Sequence, residues 1–396
     1  MISVVIPVVR DEKAKRCIDA LRENSTLYEV ITEVDRDGIG CPTMVKRLSD
    51  RAKYDWVLFL GDDTIPQPHM IDHAVDCIAD GTMLIGLNDG RNDGNYLTTH
   101  WMAHKDILKL TGGEFFSTEY NHCFCDRELL DIAQENDCFV WAEKAKLVHD
   151  HPAITDAEDD EFYEKSYNEI RFMQDRSTYL RRKAERLNGG AVKLAIALPI
   201  SEEKVHTQFF ISFLGLDRPE DCHVIFPKTQ FHMSDLGKIR THLCEQAISL
   251  GCTHILFMDT DQVYHDTDLI PRLLAHGKDI VGGKVHRRYP PFEPILNVDR
   301  QHVDDGIIDR GGLVEVDATG TGCLLVRIDA LNNIPKPWFE MSVNDDGKPI
   351  GEDIGFCYKA KGVGYRIYVD CDVEIGHLAL IQVGDSLYQL WKKIKR

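Results

Sequence analysis

Trp56-Val57-Leu58-Phe59-Leu60-Gly61-Asp62-Asp63 and, further along, His254-Ile255-Leu256-Phe257-Met258-Asp259-Thr260-Asp261 are two versions of one pattern. In each, an apolar run of strand length stops abruptly at acidic residues. A buried parallel strand delivers carboxylates to the carboxyl edge of a sheet in this way, and open α/β folds keep their ligands at that edge.

Upstream of the first copy, Ile2 to Ile6 is a β-branched run closed by Pro7, Lys13 to Arg22 has helical apolar spacing, and Tyr28 to Val34 is a second strand stopping at Asp35-Arg36-Asp37-Gly38. With a helix over Met44 to Ala52, the opening reads β-α-β-α-β, which right-handed crossovers fold into a parallel sheet. Downstream, the pattern predicts a helix over Met70 to Ile78, a strand over Met83 to Leu87, a helix over His100 to Leu110 and a strand over Glu143 to Val148 ending in His149-Asp150-His151. Residues 157–187 are strongly charged, with helical spacing at Tyr163, Tyr167, Ile170 and Met173, and Asn188-Gly189-Gly190 is the natural stop.

At Val192 the pattern begins again: Leu194 to Leu198 closed by Pro199, a strand over Cys222 to Pro227, a helix over Ile239 to Leu250, then the second acidic strand. A helix over Asp268 to Leu274, the strand and glycine turn Ile280-Val281-Gly282-Gly283 and a strand-to-helix segment over Leu324 to Leu331 follow. Asp261 lies 198 residues after Asp63 (261 − 63), and Asp353 lies 227 after Asp126 (353 − 126). Two copies of one fold account for this more simply than one large domain: a first over residues 1–156, a helical segment and linker over 157–190, and a second over 191–396.

With 396 residues and a formal net charge of −19, the chain repels a phosphate backbone on average, and no cluster of Lys and Arg is large enough to reverse that. Arg181-Arg182-Lys183 and Lys392-Lys393-Ile394-Lys395-Arg396 read as solvated helix ends, with contact to a polyanion or membrane as the alternative. The 12 cysteines show neither a CxxC pair nor zinc-ligand spacing, which fits reduced thiols in a cytoplasm. No stretch has the composition of a signal peptide or membrane span, so a soluble, cytoplasmic protein is expected.

Three constellations can carry chemistry. Asp259-Thr260-Asp261 offers two carboxylates one residue apart to a divalent cation; the alternative is a solvated loop. His377 ends the last strand of the second copy where His149 or His151 ends that of the first, and an imidazole from another strand could complete such a site. Asp353, in Gly351-Glu352-Asp353-Ile354, and Asp126 start helices, where a carboxylate is either an N-terminal cap or a general base.

Together, the first-strand proline, the strand ending in Asp-x-Asp, the later Glu-Asp before a helix and the strand-end His resemble the GT-A fold of metal-dependent, inverting family 2 glycosyltransferases, twice over. The first copy is also similar to glycosyltransferases encoded by bacteriophages. The resemblance implies two tandem Rossmann-like, mostly parallel α/β domains using Mn2+ or Mg2+ and a nucleotide-diphosphate sugar, acting in the cytoplasm of a bacterial or phage-infected cell. It implies metal ligands Asp259, Asp261 and His377, and in the first copy Asp62, Asp63 and His149 or His151. It implies Asp353 and Asp126 as catalytic bases, and nucleotide-sugar contacts from Pro7, Asp35, Pro199, Gly282 and Gly283, with Arg240 on the diphosphate. Around Gly320-Thr321-Gly322-Cys323, Pro337-Trp338-Phe339 and Thr99-His100-Trp101 it implies a sugar and acceptor pocket with Trp101, Gly322, Trp338 and Glu352.

The copies depart from one another: Gly61 stands where the second copy has Asp259, and Cys125 where it has Glu352. The implied reaction is an in-line displacement that inverts the anomeric centre. The acceptor is a hydroxyl on a glycan, a protein or a modified phage nucleobase, and the tandem arrangement motivates the hypothesis of two sequential transfers. Two rivals remain: a haloacid-dehalogenase-like phosphatase with Asp259 as nucleophile, and a non-catalytic carbohydrate-binding protein.

Overall fold

Ile2–Val8 (β1) is buried at every position, as a β-branched run between two parallel neighbours must be. It pairs in parallel with β2 (Tyr28–Val34) on one side and β3 (Trp56–Phe59) on the other. The structure, a computed structural model, describes residues 1–90, 97–150, 168–200, 204–227, 236–298, 301–343, 347–380 and 383–394. His151 lies outside them, as do Tyr163 and Tyr167.

The chain divides into two compact units, Met1–Tyr179 and Leu180–Arg396. The remaining strands of the first are β4 (Thr64–Pro66), β5 (Leu84–Asn88), β6 (Trp101–His104) and β7 (Phe139–His149), in the order β2-β1-β3-β6-β5-β7-β4. β6 and β4 run against the other five. Helices α1 (Asp11–Ala20), α2 (Cys41–Ser49), α3 (Met70–Val75) and α4 (Cys125–Glu135) connect these strands. α5 (Glu169–Leu187) follows and ends at Asn188-Gly189-Gly190, where both glycines have positive φ.

The second unit repeats this plan. Its strands β8 (Leu194–Ala197), β9 (Cys222–Ile225), β10 (His254–Met258), β11 (Gln262–Tyr264), β12 (Ile280–Lys284), β13 (Cys323–Arg327) and β14 (Ile367–His377) lie in the order β9-β8-β10-β13-β12-β14-β11 with the same pairing directions, and an added eighth strand, Leu313–Val316, pairs antiparallel with β14. Even the irregularity recurs: the β5–β7 ladder shifts register between Leu87 and Asn88, and the β12–β14 ladder between Gly283 and Lys284. Helices α6 (Thr207–Leu214), α7 (Leu236–Ser249), α8 (Leu269–Leu274) and α9 (Glu352–Gly362) stand where α1 to α4 do, and α10 (Asp385–Ile394) follows. Both units are α/β, with sheets in which most strands share one direction.

One element differs in kind from its sequence expectation. Residues 100–110, expected as a helix, form β6 and then a 3-10 turn (Lys105–Lys109). Trp101, Met102 and Ala103 are buried on both faces and hydrogen-bonded on both edges, to β3 and β5. Filling that slot outweighs a local helical spacing that carries little free energy of its own.

The loop before α4 is held by one side chain. Asp175 of α5 is fully buried, and its carboxylate accepts the backbone N–H groups of Asn121 (2.8 Å), His122 (2.8 Å) and Cys123 (2.7 Å) and the Asn121 amide (3.0 Å). Phe124, next in sequence, has φ +66 and stacks on Tyr179, whose hydroxyl donates to Asp131 at 2.6 Å. Hydrogen bonds to a charged acceptor are each worth about 1.5–3 kcal/mol. Asp175→Ala, which removes the acceptor of three part-buried backbone amides, is therefore expected to lower the unfolding free energy of the first unit by about 3 kcal/mol. Urea denaturation of the parent and variant checks this.

Candidate active site

In the first unit Gly61-Asp62-Asp63 joins β3 to β4, and its two acids do different work. Asp62 turns back on the chain: Oδ2 accepts the N–H groups of Val9 and Arg10 at 2.7 Å each, and Oδ1 accepts the Arg10 guanidinium at 2.5 Å. It clamps the end of β1, and those bonds correct its expected place among the metal ligands. Asp63 shares that guanidinium, its Oδ2 accepting from Arg10 at 3.1 Å, while its Oδ1 is turned toward β7. The antiparallel β4–β7 ladder sets Thr64 opposite His149, and the Asp150 N–H donates to the Asp63 carbonyl at 2.8 Å. The His149 ring is thereby brought to 3.6 Å from Asp63 Oδ1.

A third ligand-type side chain meets them. His100, the residue before β6, stacks on Phe59 and stands edge-on to His149 at 4.6 Å between ring centroids. One ligand atom each from Asp63, His100 and His149 lies within 4.8 Å of the others, and all three residues are buried. Gly61 makes the room: a Cβ there would stand 2.7 Å from Asp63 Oδ1 and 3.4 Å from His100 Nε2. Burial pushes the His149 imidazolium down, but the carboxylates of Asp63 and Asp89 outweigh it and carry its pKa up to about 9. The negative field that holds a proton there also favours a cation. One oxygen and two imidazole nitrogens fit Mn2+ better than Mg2+, which prefers an all-oxygen shell.

These groups line a cleft of about 330 Å³ together with Pro7, Arg10, Asp35, Asp126 and Arg127. Asp35 shapes its own turn, accepting the N–H groups of Ile39 (2.9 Å) and Gly40 (3.0 Å). Asp126 sits in the first turn of α4, where the helix dipole favours a carboxylate, and accepts the Arg127 N–H at 2.9 Å. Trp101 is no part of this wall: it is fully buried and packs on Phe59, Phe115 and Phe116. This corrects the pocket role expected of it.

The second unit reproduces part of the arrangement. β11 sets Gln262 opposite His377, and the Leu378 N–H donates to the Asp261 carbonyl at 2.8 Å, as Asp150 does to Asp63. His377 Nδ1 donates to the His286 carbonyl at 2.6 Å, which turns Nε2 toward Asp261 Oδ2 at 3.3 Å. The Asp261 hydrogen bond raises His377, while burial opposes that shift. The Arg288 guanidinium also reaches Asp261 Oδ2, at 2.8 Å. Asp353 repeats the Asp126 geometry, accepting the Ile354 N–H at 2.8 Å. Burial and then the Glu352 charge raise its pKa, against the pull of Arg240.

Three substitutions separate the units. Register pairs Phe59 with Trp101 and Phe257 with Leu324, so the place of His100 falls to Cys323, whose thiol burial pushes up to about 12. Asp259 stands at the place of Gly61, and Glu352 at that of Cys125. Asp259 and Glu352 are bridged by Arg240, which donates to both Asp259 oxygens (3.1 and 3.3 Å) and makes a short ion pair with Glu352. Arg240 is almost wholly buried, so its expected diphosphate contact is corrected to an internal brace. Asp259 and Glu352 are corrected with it, from metal ligand and pocket wall to partners in that brace.

The remaining second-unit expectations fall in the core. Trp338 is buried, and its indole N–H donates to the carbonyls of Leu331 (2.9 Å) and Ile334 (3.2 Å). A Cβ at Gly282 would meet the Cys323 carbonyl at 2.7 Å, at Gly283 the Ile375 side chain at 2.5 Å, and at Gly322 the Gln262 amide at 2.0 Å. These glycines let strands and side chains approach closely, which accounts for their lack of a side chain without a ligand. The Gly322 carbonyl accepts the Asp259 N–H (3.0 Å) and the Tyr264 hydroxyl (2.9 Å), fixing the acidic turn from behind. Pro199 is buried at the end of β8, as Pro7 is near the end of β1.

No protein-family model and no curated protein matches the chain. Among solved structures it is similar to A197 from STIV, at 16% identity and a TM-score of 0.32, over 48% of this chain and 98% of that one. It is similar to the mannosyltransferase PcManGT from Pyrobaculum calidifontis in complex with GDP-Man and Mn2+, at 14% identity and a TM-score of 0.36, over 46% of this chain and 63% of that one. It is similar also to S. aureus TarS 1-349 in complex with UDP, at 12% identity and a TM-score of 0.32, over 47% and 80%.

If Asp63, His100 and His149 form one cation site, His100→Ala is expected to weaken Mn2+ binding by about 100-fold or more. Asp259→Asn, in the other unit, is expected to leave that affinity unchanged. Titration of Mn2+ followed by its electron paramagnetic resonance signal reads both.

Proposed function

We propose that the chain is a metal-dependent, inverting glycosyltransferase built from two tandem GT-A domains, transferring a hexose or pentose from a nucleotide-diphosphate sugar to an acceptor hydroxyl. One observation carries this reading: a carboxylate with two imidazoles (Asp63, His100, His149) and a helix-start carboxylate (Asp126) line a single cleft with Arg10 and Arg127. A diphosphate needs the cationic side of such a cleft, and an acceptor hydroxyl needs the base.

Asp63, His100 and His149 would hold the ion, and the bound ion supplies charge neutralisation to the departing nucleoside diphosphate. Arg10, paired with Asp62 and Asp63, and Arg127, paired with Asp131, line the same wall and would offer guanidinium N–H groups to the diphosphate. Asp126 is positioned by its helix and by the braced loop before it to take the acceptor proton. In the second unit Asp353 has the matching place, and burial raises its pKa, which makes it a stronger base. The doubled strand order supports two transfers by two domains. The acceptor is a glycan, a protein or a modified nucleobase. Against a phosphatase, both oxygens of Asp259 are engaged by Arg240, which blunts a nucleophile.

Release of nucleoside diphosphate across a panel of nucleotide sugars with Mn2+ tests the reading. Asp126→Asn is expected to lower the first unit's transfer by about 10²–10⁴-fold. No release from any donor, with phosphate freed instead from simple esters and lost in Asp259→Ala, would overturn it. In an Asp63→Asn background, which isolates the second unit, the acid limb of the pH–rate profile reports Asp353. Glu352→Gln removes a like charge and leaves Arg240 nearby, so both effects move that limb to lower pH.

A further inference from the structure

The last helix, α10, is unlike the others: no side chain in it is buried. Leu387, Leu390, Trp391 and Ile394 recur at i, i+3, i+4 and i+7, which puts them on one face. Leu390, Trp391 and Ile394 are each more than half exposed, and Leu380 and Val383, just before the helix, are more exposed still. Lys392 and Lys393 lie off that face, and the Lys392 ammonium rests 4.5 Å from the Tyr388 ring centroid. Lys395 and Arg396 follow in the sequence, so this basic run stands out against a net charge of −19.

We propose that α10 lies on an anionic lipid surface, with Leu387, Leu390, Trp391 and Ile394 in the headgroup boundary and the lysines on lipid phosphates. Three features favour this occupant. The apolar face carries a Trp, which prefers the membrane–water interface. The basic charge beside it complements anionic headgroups, whereas a second copy would set Lys392 and Lys393 against their own kind. No helix among the described residues is long and apolar enough to span a bilayer, and α10 itself has only 10 residues, so it can lie along a surface but not cross it. The inference stands apart from the proposed activity: it places the chain at a membrane whatever it transfers.

Co-sedimentation of the full chain with vesicles tests it, comparing phosphatidylcholine alone with phosphatidylcholine containing about a third phosphatidylserine. Binding to the anionic vesicles only, weakened by salt, is expected. The exposed double variant Leu390→Glu/Trp391→Glu is expected to lose about tenfold or more of it with circular dichroism unchanged. Lys392→Gln/Lys393→Gln, which keeps the apolar face, is expected to lose about tenfold on anionic vesicles. No sedimentation with anionic vesicles, equal binding to the neutral ones, full binding by either variant, or a dimer that Leu390→Glu/Trp391→Glu dissociates would each overturn the proposal.

Discussion

A short antiparallel ladder decides where the chemistry can be. β4 and β11 are each only three residues long, yet each ties the turn after an acidic strand to the end of the long last strand of its sheet. One backbone bond, Asp150 N–H to Asp63 C=O, brings an aspartate and a histidine 86 residues apart (149 − 63) to a common point, and Leu378 N–H to Asp261 C=O does the same in the second unit. Backbone pairing is not disturbed by side-chain replacement, so this part of the arrangement is shared while the groups around it differ.

Those differences are coupled by charge. A buried arginine is tolerated only when paired, and in the second unit Asp259 and Glu352 pair with Arg240. Where the first unit has Gly61 and Cys125 in their places, the space beside Asp63 goes to the His100 ring instead. An aspartate at Gly61 would put its Cβ within 2.7 Å of Asp63 Oδ1, so the same turn cannot hold both arrangements without moving. Guanidinium groups thus meet the acids in both units, Arg240 on Asp259 and Arg288 on Asp261 in the second and Arg10 on Asp62 and Asp63 in the first, but only the first unit gathers two imidazoles beside them.

Much of this was legible from spacing. The repeat of apolar run, acidic turn, helix-start acid and strand-end His pointed to Asp63, Asp126 and His149 with their counterparts Asp261, Asp353 and His377, and the structure gathers them at corresponding sheet edges. His100 escaped as a ligand because the repeat argument looks for matches, and its counterpart is Cys323. Trp101 and Trp338 read as pocket walls because a sequence shows that a residue is aromatic but not which side of a sheet its ring packs against. Asp175, on α5, carries no motif; its importance lies in three amides more than 50 residues away in sequence.

The sequence by itself determined the α/β class, the doubled β-α plan and the identity of the recurring acids, because these follow from local periodicity and from the abrupt change of polarity at a strand end. Only the tertiary structure decided which acid is engaged by backbone N–H groups and which stands beside the imidazoles, as Asp62 and Asp63 show, and which arginine is an internal brace, as Arg240 shows. Those outcomes depend on distances between strands that are remote in the chain, and on burial, which sets both the cost of a charge and the partner it must find.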